Sequence, residues 1–497
     1  EENDVKNDME RCQIVYNVLK THIQFGAYRC GHTLPTMEQS AGDFLVSLDT
    51  VRSAYLRLQQ EGYITLSTNV GSVVVRDYSE SEIEENVQRF YSERKHALID
   101  MSKSLHPLLG RAQWAGLKNA PPAIYARTKQ QKIEHTLNPS NPFQFIIQAF
   151  DSLGNDLLLR LLWQIFTFYE APFLSTPQNP WGAFAVNEYA PRYLDFCLKK
   201  DWDSLRKSIC DVQESLSPIL CRFYEERITA PVPQRQISFA WSSYEKASQI
   251  CYTLAMDLLT EISLGHYPEH TLLPSLSKLS RERNVSVSTV RRALALLNGI
   301  GAVKSEKRIG TRVLSFHKTS ENCDFTNPVV RKRLLDMARS MQILTLSCRE
   351  VSERTMSALD AAGRQSCREH LSTVEQRQVY ELVTYNALEL LRLFAPYEAI
   401  RTVYGELLRQ FFWGYALRSI WKKDSGQISL SKSCFHTLMN SLETGNTACF
   451  SETLEGLLIS EFNFTIRNLV QLGIGEAQKL LIPELSIAGS KLPRWPL

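Results

Sequence analysis

The sequence predicts a mainly α-helical protein made of two winged helix-turn-helix domains, each followed by an all-helical bundle. Three observations predict it. One thirty-residue plan occurs twice, apolar residues recur at helical spacing through the remainder, and each copy of the plan ends in a short hairpin signal centred on glycine. Residues 46–75 read VSLDTVRSAYLRLQQEGYITLSTNVGSVVV, and residues 285–314 read VSVSTVRRALALLNGIGAVKSEKRIGTRVL. Pro35 pairs with Pro274, Arg52 with Arg291 and Gly71 with Gly310, each 239 positions apart (274 − 35). Gly26/Gly265, Leu34/Leu273, Val51/Val290, Ala54/Ala293, Leu58/Leu297 and Gly62/Gly301 keep that separation without a gap. A shared offset over such a span marks two copies of one domain.

Within each copy the elements follow in order. Val15, Leu19 and Ile23, like Leu254, Leu258 and Ile262, sit four residues apart and give a first helix with one apolar face, stopped by Gly26 or Gly265. A second short helix is entered at Leu34-Pro35-Thr36 or Leu273-Pro274-Ser275, where the hydroxyl can cap it. Val46-Ser47 and Val285-Ser286 turn the chain into a third helix, whose inward residues are Val51, Ala54 and Leu58, or Val290, Ala293 and Leu297. That helix ends at Gly62 or Gly301. Two β segments follow, 63–67 with 72–75 and 302–305 with 311–315. The predicted domains are 10–76 and 243–315 for the winged units, with helical, effector-like domains over 77–240 and 316–497.

Length and composition bound the rest. A chain of 497 residues exceeds one compact core. Hydrophobic residues at 44% and charged residues at 22% suit a globular protein with no membrane span. The most apolar run, LLLRLLWQIFTFY over 157–169, is interrupted by Arg160 and Gln164 and reads as a buried helix. Eleven cysteines with no CxxC pair point to free thiols and a cytoplasmic location. The net charge of +3 decides nothing by itself; its distribution does.

In a helix-turn-helix, the start of the third helix meets base edges in the major groove while flanking basic and hydroxyl groups hold phosphates. In the second copy these positions hold Ser286, Ser288, Thr289, Arg291 and Arg292, with Ser275 and Lys278 on the preceding helix and Lys307, Arg308 and Thr311 on the wing. Val287 offers only an apolar contact. The first copy offers Thr36, Ser47, Thr50 and Arg52, but Glu38 and Asp49 would repel phosphate, and its wing has no basic residue. Asp49 also suits a helix start, or can accept from a cytosine amino group. Copy two is therefore the expected DNA reader and copy one a weaker or asymmetric one.

The order L-P-[ST], V-S-x-x-T-V-R-x-A, x-G-x-[IV] and a glycine-centred wing resembles the GntR family of bacterial transcription regulators, over about seventy residues in each half. That resemblance implies a DNA-binding regulator of transcription. Both copies depart from the family pattern where it has arginines after L-P-S and after V-S. Those positions hold Glu38 and Leu48 in copy one, Ser277 and Val287 in copy two. The family's usual guanine contacts, and with them its common operator, are not implied here.

Between and after the winged units the chain is rich in Leu, Phe, Tyr and Arg at helical spacing. LIDMSKSL (98–105) pairs with LLDMARSM (334–341), so the duplication extends into the helical parts. The stretches LGNDLLLRLLWQIF and YLDFCLKKDWDSLRKSICDV, and again residues 430–458, resemble the FadR-type helical effector domain of the FCD class. Many such domains hold a metal with one aspartate and three histidines. Around Gln144, at 189–190 and at Val212 those residues are missing, so no metal and no cofactor are expected. The resemblance implies instead a small organic effector, with Gln144 and Asn155 as candidate polar anchors. Trp163, Phe166, Phe168, Tyr169, Trp413 and Tyr415 are candidate pocket walls, although aromatics at helical spacing are more often core.

Several signals carry no chemistry. His266 and His270 flank Pro268 in a loop, and no dinucleotide, phosphate-loop, nucleophile-elbow or zinc-protease motif occurs, so no enzyme is expected. SESEIEENVQ reads as an acidic helical link and hinge, and the tail from Ile482 as an extended segment. The expected partners are a double-stranded DNA operator and the effector. Relatives on the FadR plan bind palindromes as homodimers, whereas a tandem chain can form a pseudo-dimer alone; a further homodimer stays open. The rival expectation is a protein-interaction scaffold, because winged helices also dock proteins.

Overall fold

The computed structural model describes residues 2–67, 71–125, 141–176, 190–242, 246–263 and 265–486, with side chains left aside at 2–10, 141–144, 190 and 246–249. The chain divides into two compact units, the first made of the residues up to Trp241 with Tyr397–Ala399, the second of Ser242–Pro396 and the residues from Ile400.

The first unit opens with the three helices and hairpin that the spacing predicts: α1 (Glu2–Gln24), α2 (Met37–Phe44), α3 (Leu48–Gln60), β1 (Ile64–Ser67) and β2 (Gly71–Val74). Val15, Leu19 and Ile23 of α1 are buried, as are Val51, Ala54 and Leu58 of α3. Thr36 caps α2 reciprocally, its Oγ1 accepting from the Gln39 amide at 3.1 Å while Gln39 Oε1 accepts from the Thr36 amide at 2.8 Å. β1 and β2 pair antiparallel from Ile64↔Val74 to Ser67↔Gly71, and a bridge at Thr33↔Val73 ties the wing back to the entry of α2.

The helical part follows as α4 (Glu80–Asn119), α5 (Asn141–Asp151), α6 (Asp156–Ile165), α7 (Ala190–Lys199) and α8 (Trp202–Arg227). α6 runs on through a π-turn, Phe166–Glu170, into Ala171–Ser175. The acidic segment expected to be a helical link and hinge is the start of α4, an unbroken helix of 40 residues. Ser79 caps it in a box with Glu82, which makes the charge run a helix N-terminus rather than a joint. Ile83 is buried there, and Asn86 Nδ2 donates to the Gln24 carbonyl at 3.2 Å, docking α4 onto the winged unit. α4 and α8 pack along each other, tied by Arg227–Glu84 at 2.6 Å and by Trp114 Nε1 donating to the Trp202 carbonyl at 2.9 Å.

The second unit repeats the plan: α9 (Lys246–Ser263), α10 (Leu276–Glu282), α11 (Val287–Gly299), β3 (Val303–Glu306) and β4 (Gly310–Val313). Its hairpin register, Val303↔Val313 to Glu306↔Gly310, and its bridge Leu272↔Arg312 fall at the positions equivalent to those of the first copy. The turn before each reading helix needs one residue in the left-handed region. Asn284 (φ 51°) supplies it in copy two and Leu45 (φ 51°), a costlier choice, in copy one. Among the described residues a short turn of helix, Thr319–Asn322, and seven longer helices follow: α12 (Pro328–Ala358), α13 (Ala361–Gln376), α14 (Val383–Phe394), α15 (Glu398–Arg409), α16 (Tyr415–Lys423), α17 (Ser425–Thr444) and α18 (Thr447–Gln471). As α4 packs on α8, so α12 packs on α18. The duplication is visible in the caps too, Asp201 starting α8 and Asn446 starting α18, each accepting from the amide three residues on.

Of the tail, Leu485 is buried and its carbonyl accepts from Asn463 Nδ2 at 2.7 Å; residues 487–497 lie outside the described residues. All eleven cysteines are free thiols, and no described helix is long and apolar enough to cross a membrane.

Candidate nucleic-acid interface

The second reading helix starts at Ser286, whose Oγ accepts from the Thr289 amide at 3.1 Å and lies 2.8 Å from both Ser288 Oγ and Thr289 Oγ1. Ser275 does the same for α10, accepting from the Lys278 amide at 3.3 Å. These hydroxyls cap helices, and Ser275, Ser286 and Ser288 remain exposed beside the cations. Arg291 and Arg292 are exposed on α11 and have no ion-pair partner among the described residues. Lys278 meets Glu282 at 3.7 Å across one helical turn, a pair open to water and weak. On the wing, Lys307 and Arg308 are exposed at the tip, with Arg308 at φ 65°. Lys304, outside the sequence-derived set, is exposed as well: strand alternation points it away from buried Val303. Arg283, by contrast, is tied to Glu261 at 2.5 Å, which raises its pKa, and it serves the inside of the domain.

Two expected contacts are placed otherwise. Thr311 is 8% exposed, with its Oγ1 3.0 Å from Ser305 Oγ, because the pleat that turns Arg312 outward turns Thr311 in. Thr50 is 1% exposed beside Ser47, since it shares the inner face of α3 with Val51. Neither hydroxyl is offered to a groove.

The first copy holds its remaining candidates in a different electrostatic setting. Ser47 and Thr36 cap α3 and α2. Arg52, the arginine retained from T-V-R, is held by Asp49 at 2.6 Å. Glu38 is exposed on α2. Over residues 37–74 the copy carries two basic and four acidic side chains, net −2; over the equivalent 276–313 the second carries nine basic and two acidic, net +7. One backbone plan thus presents two surfaces of opposite sign.

The effector candidates fare differently. Asn155 is buried and is the cap of α6, its Oδ1 accepting from the Leu157 and Leu158 amides at 3.0 and 3.1 Å, so it is a structural residue and no anchor. Gln144 stands in α5 with its side chain outside the described residues, as do positions 189–190; Val212 is a buried apolar residue. Trp163, Phe166, Tyr169, Trp413 and Tyr415 are core. The hollow that the second helical part does form, about 70 Å³ and open on one side, has other walls, including Met337, Tyr385, Trp421 and Phe464, with Glu381, Arg418 and Glu461 as charged or ionisable groups. Those residues are spread over more than a hundred positions, so no local pattern could have announced it. Loss of solvent pushes the Glu461 carboxyl up to about 8, against the lowering effect of the Thr384 hydroxyl that donates to it. Arg418 sits over the Phe316 and Tyr415 rings at 5.1 and 4.9 Å and reaches Ser263 Oγ at 3.4 Å, at the end of α9.

The family model for bacterial regulatory proteins of the gntR family matches residues 12–74 and 253–313. Among solved structures, Streptococcus agalactiae GntR aligns at 16% identity, covering 43% of this chain and 99% of that one, with a TM-score of 0.21. A GntR family transcriptional regulator from Pseudomonas syringae pv. tomato aligns at 18% identity over 46% and 90%, TM-score 0.23. E. coli McbR/YncC aligns at 16% identity over 45% and 97%, TM-score 0.22. A comparison with curated proteins gives no match. Residues 12–74 and 253–313 of this chain, each folded as a winged helix-turn-helix, are thus similar to the gntR family of bacterial regulatory proteins.

Proposed function

We propose that the chain is a DNA-binding transcription regulator in which the second winged unit reads an operator and the first assists it, as a pseudo-dimer within one polypeptide. The observation that supports this most is the contrast between net +7 and net −2 on equivalent segments. Symmetry no longer binds two heads carried on one chain, so they diverge, and the operator becomes an imperfect palindrome whose better-defined half belongs to copy two. A small organic molecule in the hollow of the second helical part is the effector. Neutral Glu461 can donate to it and Arg418 can pair with an acidic group, and Arg418 also touches the first helix of the reading unit.

The test is a salt titration of the full chain on duplex DNA by fluorescence anisotropy. Five exposed cations, Arg291, Arg292, Lys304, Lys307 and Arg308, correspond to a slope of log K against log salt of about −4.5. A slope near zero, or no retention on DNA, would support the second reading, a protein-docking scaffold. The acidic first copy, with Arg52 neutralised by Asp49, is the observation that favours it.

A further inference from the structure

We propose that the first helical part holds a divalent transition metal of the zinc class between α4 and α8, on His106, Cys210 and Glu214. These are not the aspartate and histidines of the FCD constellation: its expected position on α8 is Val212, two residues from both Cys210 and Glu214, and its others lie near Gln144 and 189–190. Cys210 and Glu214 stand four residues apart on one face of α8, and His106 faces them from α4. One ligand atom from each, an imidazole nitrogen, a thiol sulfur and a carboxylate oxygen, lies within 4.8 Å of the others. His106 Nδ1 and Glu214 Oε1 are 3.9 Å apart, whereas ligand atoms of a tetrahedral zinc site sit about 3.5 Å apart. Closing that pair on an ion asks for a few tenths of an ångström, and the 4.8 Å limit asks at most about 1 Å of the thiol.

A second observation points to the same spot. Gln213 is buried, its Nε2 donates to Gln113 Oε1 at 2.8 Å, and its Oε1 has no hydrogen-bond partner among the described residues. That oxygen lies 2.8 Å from where a Cβ on Gly110 would stand, with His106 Cδ2 at 3.0 Å and Nε2 at 3.6 Å from the same point. Glycine at 110 thus lets the imidazole and the buried Gln213 acceptor close in together against α4, where a side chain would push them apart. Buried His106 and Cys210 supply borderline-soft donors, which select zinc over magnesium or calcium, and Glu214, 41% exposed, leaves a path from solvent. The equivalent position of the second half holds Gln342 (342 − 106 = 236, the separation of Asp336 from Asp100), which donates to the Leu480 carbonyl. The site is particular to the first half. Bound metal would fasten α8 to the helix on which the first winged unit is docked.

The experiment is an anaerobic titration of the reduced, metal-free full chain with Co²⁺, followed by competition with Zn²⁺. The expected result is one equivalent with a thiolate-to-cobalt charge-transfer band, displaced by zinc, lost in Cys210→Ser and kept in Cys197→Ser. Glu214→Gln, on the exposed edge and independent of folding, is expected to weaken zinc binding about tenfold or more. Absence of the band in the folded wild-type chain, or a band and affinity unchanged in Glu214→Gln, overturns the proposal.

Discussion

At the scale of single residues, the proposed regulator has position 49 and its equivalent 288 set how much free positive charge the third helix of each winged unit offers DNA. Asp49 holds Arg52 at 2.6 Å, while Ser288 leaves Arg291 exposed. An exposed pair of this kind adds little to stability, so exchanging the residues should move binding without unfolding either domain. Asp49→Ser is expected to tighten DNA binding several-fold, and Ser288→Asp to weaken it about tenfold or more, one lost contact being worth about 1–3 kcal/mol. Equal affinities for both variants in an anisotropy assay would contradict this. Glu461 makes a separate prediction. Its carboxyl is neutral in the fold up to about pH 8 and charged in the unfolded chain above the ordinary carboxylate range. The folded state then holds the extra proton, so this contribution to stability is complete at low pH and lost as pH rises towards 8. Glu461→Gln should flatten the fall of Tm between about pH 5 and about pH 8; an unchanged slope would place the titration elsewhere.

At the scale of elements, the corner between reading helix and wing is the same in both copies and differently confined. Gly62 (φ 75°) and Gly301 (φ 74°) both need the left-handed region. A Cβ at Gly62 would meet nothing within 4 Å, whereas one at Gly301 would stand 2.7 Å from the Thr319 carbonyl oxygen and 2.8 Å from the Cys323 nitrogen. Gly62→Ala should therefore cost about 1 kcal/mol, and Gly301→Ala about 1–3 kcal/mol more, read from denaturant midpoints. The winged elements were legible in the sequence because caps, glycine stops and i, i+4 apolar spacing are local. Thr50 and Thr311 were misplaced because residue type does not tell which side of a helix or strand faces in. The link at 79–88 is helical as its composition suggests, but that it docks through Ile83 onto the winged unit was not legible, since acidic residues suit a solvated link and a helix N-terminus equally. The hollow near Arg418 and the His106–Cys210–Glu214 cluster depend on helices that meet across long stretches of chain.

At the scale of the whole molecule, duplication followed by divergence accounts for the chain better than either half alone. Both halves keep the caps, the wing register and the pairing of first and last long helices. They differ in the sign of charge at the third helix, in the hollow of the second helical part and in the donor cluster of the first. In the proposed regulator, affinity for DNA resides in the second winged unit. The most direct measurement compares the full chain with its Arg291→Ala/Arg292→Ala variant on an operator selected from random duplex DNA, at one fixed salt concentration. The account predicts a loss of at least about a hundredfold in affinity with the fold intact by circular dichroism. Affinity equal to that of the unaltered chain would contradict it.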